Sequence, residues 1–357
     1  MKKILLLIIM ILIFIPKSAN ALDTARSSIV MDIDSGRILY SNNINEKRLI
    51  ASITKIMTAT IALENGKLDK EIIVGEEVLK MYGSNIYVEV GEKLTLKDLL
   101  YGLLLRSGND SAVAIANAIS KNEEEFVKLM NKKAKEIGMN HTIFNNCHGL
   151  DEETKNYSTA YDMALLSSYI YKNSKDYRTI SKTYKYSFES SNKSYLWYNR
   201  NKLLKTYKYA TGGKTGYTPS AGRTLVTTAK KDDMNLTVVT LKDNNEYDTH
   251  QNLYDMTFEK YKNYTIIDKD EFKIDKEYFK DKLYIKESFK YPLTKNETEK
   301  IQTIVKIEKT KNYKNNDKVG HIEITLDNEI LKKINIYVKV PKKKQGFFSS
   351  LFSFLKS

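Results

Sequence analysis

Residues 50–60 read IASITKIMTAT and place Ser52 three positions before Lys55. Positions i and i+3 of a helix share a face and bring their side chains into contact. A hydroxyl and an amine at that spacing can act as a nucleophile and its base, and a serine needs such a neighbour to attack at neutral pH. The pattern alone fits a solvated lysine beside a helical serine equally well, because it recurs at Ser190–Lys193 and Ser353–Lys356. Two more short patterns follow. LLRSGNDSA puts Ser107 and Asn109 at the break between two helical segments, where such residues ordinarily make a turn or cap a helix. GGKTGYT puts Lys214, Thr215 and Gly216 ahead of an extended run, and its bland reading is a glycine-rich turn with an exposed lysine; Lys-Thr-Gly occurs once in the chain.

The elements that would position these residues are legible from periodicity. ARSSIVMDIDSGRILYSNN alternates apolar residues on both sides of Asp34-Ser35-Gly36, which predicts a hairpin. Helical spacing predicts helices from Ser52 to about Ala62, Thr95 to Leu105, Ser111 to Ile119, Glu123 to Ile137 and Thr159 to Tyr171. From Ser194 to Val239 the pattern is extended again, with GRTLVTTAKKDDMNLTVVTL giving two strands across Lys-Lys-Asp-Asp. Strands at both ends of a helical middle predict one sheet built from both ends and covered by helices. From about Asn263 the alternation of Ile, Val, Tyr and Lys, with a turn at Asp327-Asn328, predicts a small all-β second domain.

The chain has 357 residues and a net charge of +14. Met1-Lys2-Lys3, an apolar run from Ile4 to Ile15 and the small residues around Ala19-Asn20-Ala21 read as a secretory signal cut after Ala21, since the run is shorter than the roughly 20 residues of a membrane span. The basic balance of an exported chain points to anionic lipid heads or wall polymers, and no nucleic-acid partner is expected. With one cysteine, Cys147, no disulfide can form within the chain. Four histidines without metal-ligand spacing argue against zinc. No Gly-x-Ser-x-Gly elbow supports a Ser-His-Asp hydrolase, and Lys208 stands where a phosphate loop before Gly213 needs its first glycine. Neither metal nor cofactor is expected. In KKKQGFFSSLFSFLKS, Phe347, Phe348, Leu351, Phe352, Phe354 and Leu355 fall on one side of a helix and Ser349, Ser350 and Ser353 on the other. Lysines 342–344 and Lys356 bracket it, as in a helix lying in a membrane interface.

A Ser-x-x-Lys, a Ser-x-Asn and a Lys-Thr-Gly in that order resemble the active-site serine penicillin-recognising enzymes. With ARSSIVMDIDSGRILY, VGEKLTLKDLLYGLLLRSGNDSA, NCHGLDEETKNYSTAYDMA and NKLLKTYKYATGGKTGYT, the chain resembles the D-alanyl-D-alanine carboxypeptidases among the low-molecular-weight penicillin-binding proteins. The resemblance implies an α/β (α+β) fold, with a transpeptidase-like catalytic domain of residues 22–258 and a β-rich domain of residues 263–341. Residues 1–21 would be the signal and 342–357 the membrane-associated helix. It implies removal of the terminal D-alanine from peptidoglycan pentapeptide stems at the outer face of the cytoplasmic membrane, through an acyl-enzyme that β-lactams also form. Ser52 would be the nucleophile, Lys55 the base, Ser107 a proton relay and Asn109 a support. Lys214, Thr215 and Gly216 would hold the substrate, and the backbone N–H groups of Ser52 and Tyr217 would form the oxyanion hole. His148 is then structural.

Two departures stand out: Cys147 occupies an expected proline position, and the arginine that some relatives use for the carboxylate has no match near Asp248–Gln251, which leaves Arg223 as a helper. Rival readings are a class A β-lactamase, for which no Glu-x-x-Leu-Asn loop is present, and a non-catalytic wall-binding or β-lactam-sensing protein.

Overall fold

The structure is a computed structural model that describes residues 22–274, 281–308 and 312–341. The signal and the amphipathic helix expected at the two ends lie outside the described residues. The chain divides into two compact units, Met1–Glu259 and Lys260–Ser357.

In the first unit, β1 (Ser27–Asp32) and β2 (Ile38–Asn42) form the expected hairpin, with Gly36 at φ +76° in its turn. β5 (Ala210–Thr218), β6 (Gly222–Lys231) and β7 (Met234–Leu241) come from the far end of the unit. The five strands pair antiparallel in the order β2-β1-β7-β6-β5, so the N-terminal hairpin docks on β7 with Ile29 opposite Val239. All six β1 residues are buried, as a central strand covered on both faces requires.

Neighbouring strand residues face opposite ways, and two helices read the two faces of this sheet. Thr237 donates to Ser167 of α5 (Ala160–Asn173) at 2.8 Å on one face. Thr227 meets His250 and Tyr254 of α7 (Glu246–Lys260) at 2.7 and 2.8 Å on the other. Between hairpin and sheet run α1 (Lys55–Asn65), α2 (Leu96–Tyr101), α3 (Asn109–Ile119) and α4 (Glu123–Glu136). Every residue of α1 from Lys55 to Ala62 is buried, so this helix is enclosed on all sides, and Thr58 and Thr60 satisfy their hydroxyls on the carbonyls of Cys147 and Ile56.

Three sequence expectations are corrected. Ser52 lies on a 3-10 turn, Ala51–Thr54, and α1 begins only at Lys55. The helix expected through Leu105 gives way after Tyr101 to a wider π turn, Gly102–Arg106, that ends at Ser107. The run expected to be extended does begin with β4 (Ser194–Tyr198), which pairs with β3 (Lys185–Glu189), but the short helix Leu203–Thr206 interrupts it. The helices α6 (Lys175–Lys182) and α7 were not foreseen. α7 escapes a search for apolar spacing because its buried face carries Thr249, His250 and Thr257 beside Leu253, Tyr254 and Phe258. His250 is tolerated there because Thr227 and Thr240 meet the two nitrogens of its ring.

The second unit holds a two-stranded sheet of β8 (Lys262–Ile267) and β10 (Phe289–Leu293), and a four-stranded sheet in the order β9-β13-β12-β11. The latter comprises β9 (Lys282–Ile285), β11 (Ile301–Ile307), β12 (Lys318–Leu326) and β13 (Glu329–Lys339). Its core is Ile285, Val319, Ile322, Ile324, Ile334, Ile336 and Val338. Asp327 and Asn328 both adopt positive φ in the two-residue turn between β12 and β13, the conformation such hairpins favour.

Candidate active site

The Ser52 turn is held by its neighbours rather than by its own propensity. Ala51 takes φ +49°, an uncommon conformation for a residue with a side chain. Thr224 of β6 donates to the carbonyl of Ile50 at 3.0 Å, and Asn156 donates to Thr54 Oγ1 at 3.0 Å. Residues three apart eclipse in a 3-10 turn, which stacks Ser52 over Lys55, and Lys55 Nζ lies 3.1 Å from Ser52 Oγ. The amine also donates to Asn109 Oδ1 at 2.7 Å and to the carbonyl of His148.

Ser107 is likewise held at positive φ, +66°, where the π turn meets α3. That conformation aims it at Lys214, whose Nζ lies 2.9 Å from Ser107 Oγ and 2.6 Å from the carbonyl of Thr215. Asn109 spans the site: its Nδ2 donates to the carbonyl of Tyr82 at 2.6 Å while its Oδ1 holds Lys55. Gly216 runs close beside the turn, since a Cβ there would stand 2.4 Å from Thr224 Oγ1 and 3.0 Å from Ser52 N. The first unit thus gathers Ser52, Lys55, Ser107, Asn109, Lys214 and Gly216 at one place. Ser52, Ser107, Thr215, Gly216 and Tyr217 line a cleft of about 290 Å³. The other Ser-x-x-Lys in the described residues, at Ser190, is a hairpin turn in which Ser190 donates to the buried carboxylate of Glu92.

Burial dominates the electrostatics. Lys55 is fully enclosed, which costs its charged form and brings its pKa from the ordinary 10.5 down to about 7. Lys214 is driven well below its ordinary value by burial first, then by repulsion from Lys55 and Arg200. His148 falls to about 3 through burial and the nearby Lys55, so its ring is neutral, and its Nδ1 accepts from Leu150 N at 3.1 Å. Buried Cys147 has its thiol pushed up, again first by burial.

Several residues of the site carried no sequence signal. Asp110 accepts from the backbone N–H groups of Ile86, Tyr87, Val88 and Ser111, and so fixes the loop over the cleft to α3; its place beside Asn109 was the only hint. Arg200, Glu246 and Tyr247 line the cleft, and Arg200 donates to Ser84 Oγ at 2.7 Å. Glu246 and Tyr247 stand at the start of α7, and the cation there is Arg223 of β6, 3.3 Å from Glu246 and over the Tyr217 ring. Among the described residues no group of three His, Cys, Asp or Glu could hold a metal ion.

The profile of the D-alanyl-D-alanine carboxypeptidase family matches residues 16–245. The chain belongs to this family. The profile of the penicillin-binding protein 5 C-terminal domain matches residues 261–344, so the carboxypeptidase-family unit is followed by the β domain of low-molecular-weight penicillin-binding proteins. The chain is 41% identical over 248 residues to D-alanyl-D-alanine carboxypeptidase DacF of Bacillus subtilis, covering 64% of this chain and 62% of that relative. It is 35% identical to DacC of Escherichia coli, over 61% of this chain and 56% of the relative. These alignments span about three-fifths of the curated relatives' length. Among solved structures, penicillin binding protein 5 from Haemophilus influenzae is similar with a TM-score of 0.74 at 25% identity, covering 89% of this chain and 97% of that one. DacD from Francisella tularensis gives 0.69 at 26%, covering 88% and 93%. The sheet with helices on both faces and the separate β unit are the architecture of this family.

Proposed function

We propose that this family member is a serine-type D-Ala-D-Ala carboxypeptidase that removes the terminal D-alanine of peptidoglycan pentapeptide stems and is acylated by β-lactams at Ser52. The observation that carries the reading is the buried Lys55 amine, with a pKa near 7, lying 3.1 Å from Ser52 Oγ. A neutral Lys55 takes the Ser52 proton as Oγ adds to the penultimate D-alanine carbonyl. The backbone N–H groups of Ser52 and Tyr217 receive the oxyanion, a contribution of about 10²- to 10³-fold per donor. The proton returns through Ser107, bonded to Lys214, to the leaving nitrogen, and D-alanine departs to leave an ester on Ser52. Water then adds to that ester with its proton going to Lys55, and Ser52 is restored. Thr215 and the cations of the cleft suit the substrate's free carboxylate. We place the reaction outside the cytoplasm, with residues 342–357 as the contact to an anionic membrane surface.

The test is labelling with a fluorescent penicillin followed by peptide mapping. The label should sit on Ser52 and vanish in Ser52→Ala. Label on Ser107, or label that survives Ser52→Ala, would sink the nucleophile assignment. Mass spectrometry of a pentapeptide ending in D-Ala-D-Ala should show loss of one alanine.

A further inference from the structure

From Ser190 to Lys231 the sequence carries seven lysines and two arginines and not one carboxylate. Part of this run folds into a compact group. Tyr184 and Tyr198 lie 5.7 Å apart at the open end of the β3–β4 hairpin. Lys205 sits over the Tyr184 ring at 4.3 Å and Lys185 over Tyr198 at 6.0 Å. Arg106 reaches the carbonyl of Tyr198, and Lys202 sits over Tyr247, whose hydroxyl donates to the carbonyl of Arg200 at 3.1 Å. Lys185, Arg200, Lys202 and Lys205 are exposed.

Some lysines elsewhere on the unit pair with acids, as Lys128 does with Glu124 and Glu125, and Lys133 with Glu64 and Glu136. Arg106, Lys185, Arg200, Lys202 and Lys205 have no carboxylate within ion-pair distance among the described residues. Five like charges gathered with no internal counterion repel one another, so the face favours an anionic partner. The ammonium groups of Lys185, Lys202 and Lys205 lie over separate tyrosine rings on exposed side chains, an arrangement suited to a chain of spaced charges.

We propose that this basic-aromatic face binds a flexible polyphosphodiester of the cell envelope, running past the mouth of the cleft at Arg200 and Tyr247. The fork of a guanidinium matches phosphate oxygens, and a linear polymer presents charge at intervals that separate cations can meet in turn. Choosing a wall polymer over nucleic acid rests on the export read from residues 1–21. The binding itself is independent of the carboxypeptidase reading, and its test involves no catalysis.

The probe is soluble poly(glycerol phosphate), titrated against the full chain over a range of salt. The affinity should fall with salt, and Lys185→Ala/Lys205→Ala should weaken binding about tenfold at low salt and reduce the salt slope by about two. Lys208→Ala/Lys231→Ala removes the same charge around Tyr209, outside the group, and should bind like the unaltered chain. Equal weakening by both pairs would show that affinity follows net charge alone and overturn the proposal. So would unchanged binding in Lys185→Ala/Lys205→Ala, or binding to anionic vesicles or single-stranded DNA with none to the polymer. Unaltered thermal unfolding of both variants excludes misfolding as the cause.

Discussion

At the scale of single residues, the cleft turns burial into reactivity. A lysine whose pKa is about 7 when folded and 10.5 otherwise binds fewer protons folded than unfolded across that window. Stability therefore rises with pH between the two values as far as Lys55 is concerned, and the cost is largest and constant below about 7. Replacing Lys55 by Met removes the charged group, so the melting temperature of Lys55→Met relative to the unaltered protein should be higher at pH 7 than at pH 9. The same amine must be neutral to take a proton, so the acylation rate with a penicillin should climb as pH rises through about 7. Flat acylation between pH 6 and 8 would remove Lys55 from the role of base. A second expectation concerns charge. Both lysines of the site are driven toward their neutral forms, which leaves the guanidinium groups of Arg200 and of Arg223, the latter paired with Glu246, as the cations lining the cleft. Arg223→Ala should raise KM for a D-Ala-D-Ala substrate about tenfold, in line with the loss of a charge-assisted hydrogen bond, with kcat little changed. A C-terminally amidated substrate, which lacks the carboxylate, should be insensitive to the substitution.

Elements matter because the reactive residues sit at their ends. Ser52 belongs to a 3-10 turn, Ser107 to the exit of a π turn, and Lys214 to a strand at the sheet edge, so no single element fixes the site. What joins them is close backbone approach. Gly216→Ala would push a methyl to 2.4 Å from Thr224 Oγ1, and Thr224 is the side chain that holds Ile50 and the turn. Overpacking of this kind costs about 1–3 kcal/mol, which leaves the domain folded. Displacing Ser52 N from the oxyanion should nevertheless lower acylation by about 10²-fold or more. Stopped-flow acylation beside a thermal melt separates the two effects; equal, small losses in both would mean that the approach of β5 to the turn is not critical. Gly149 is more constrained, at φ +91° with its hypothetical Cβ 2.0 Å from the carbonyl of Ala51, so Gly149→Ala should reduce stability as well as rate.

At the scale of the whole molecule, the two units have separate cores. The first contains every residue brought to the cleft, and the second is β-sheet around an isoleucine- and valine-rich core. Deleting residues 342–357 should leave penicillin acylation intact and abolish co-sedimentation with anionic vesicles. The lysine part of that attachment, about 1 kcal/mol per charge, should fade with salt while the apolar part should not. A deletion variant that sediments like the full chain would move the membrane contact elsewhere.

Periodicity by itself fixed the N-terminal hairpin, most of α2 to α5, the β6–β7 pair and the β-rich tail, because in those segments the apolar face is continuous and the turns use Gly, Asp or Asn. It also placed Ser52, Lys55, Ser107, Asn109 and the Lys-Thr-Gly run in order, since short motifs survive as local spacing. Only the tertiary structure decided that Ser52 precedes its helix rather than opening it, for that turn depends on Thr224 and Asn156 from distant segments. α7 was invisible because its buried side is half polar, and the threonines that make His250 acceptable there lie on β6 and β7. Arg200, Arg223 and Glu246 come from three separate segments, and no local spacing encodes their meeting. The lowered pKa of Lys55 belongs wholly to the fold, because enclosure by the surrounding chain, which no sequence interval measures, takes the charge from the amine.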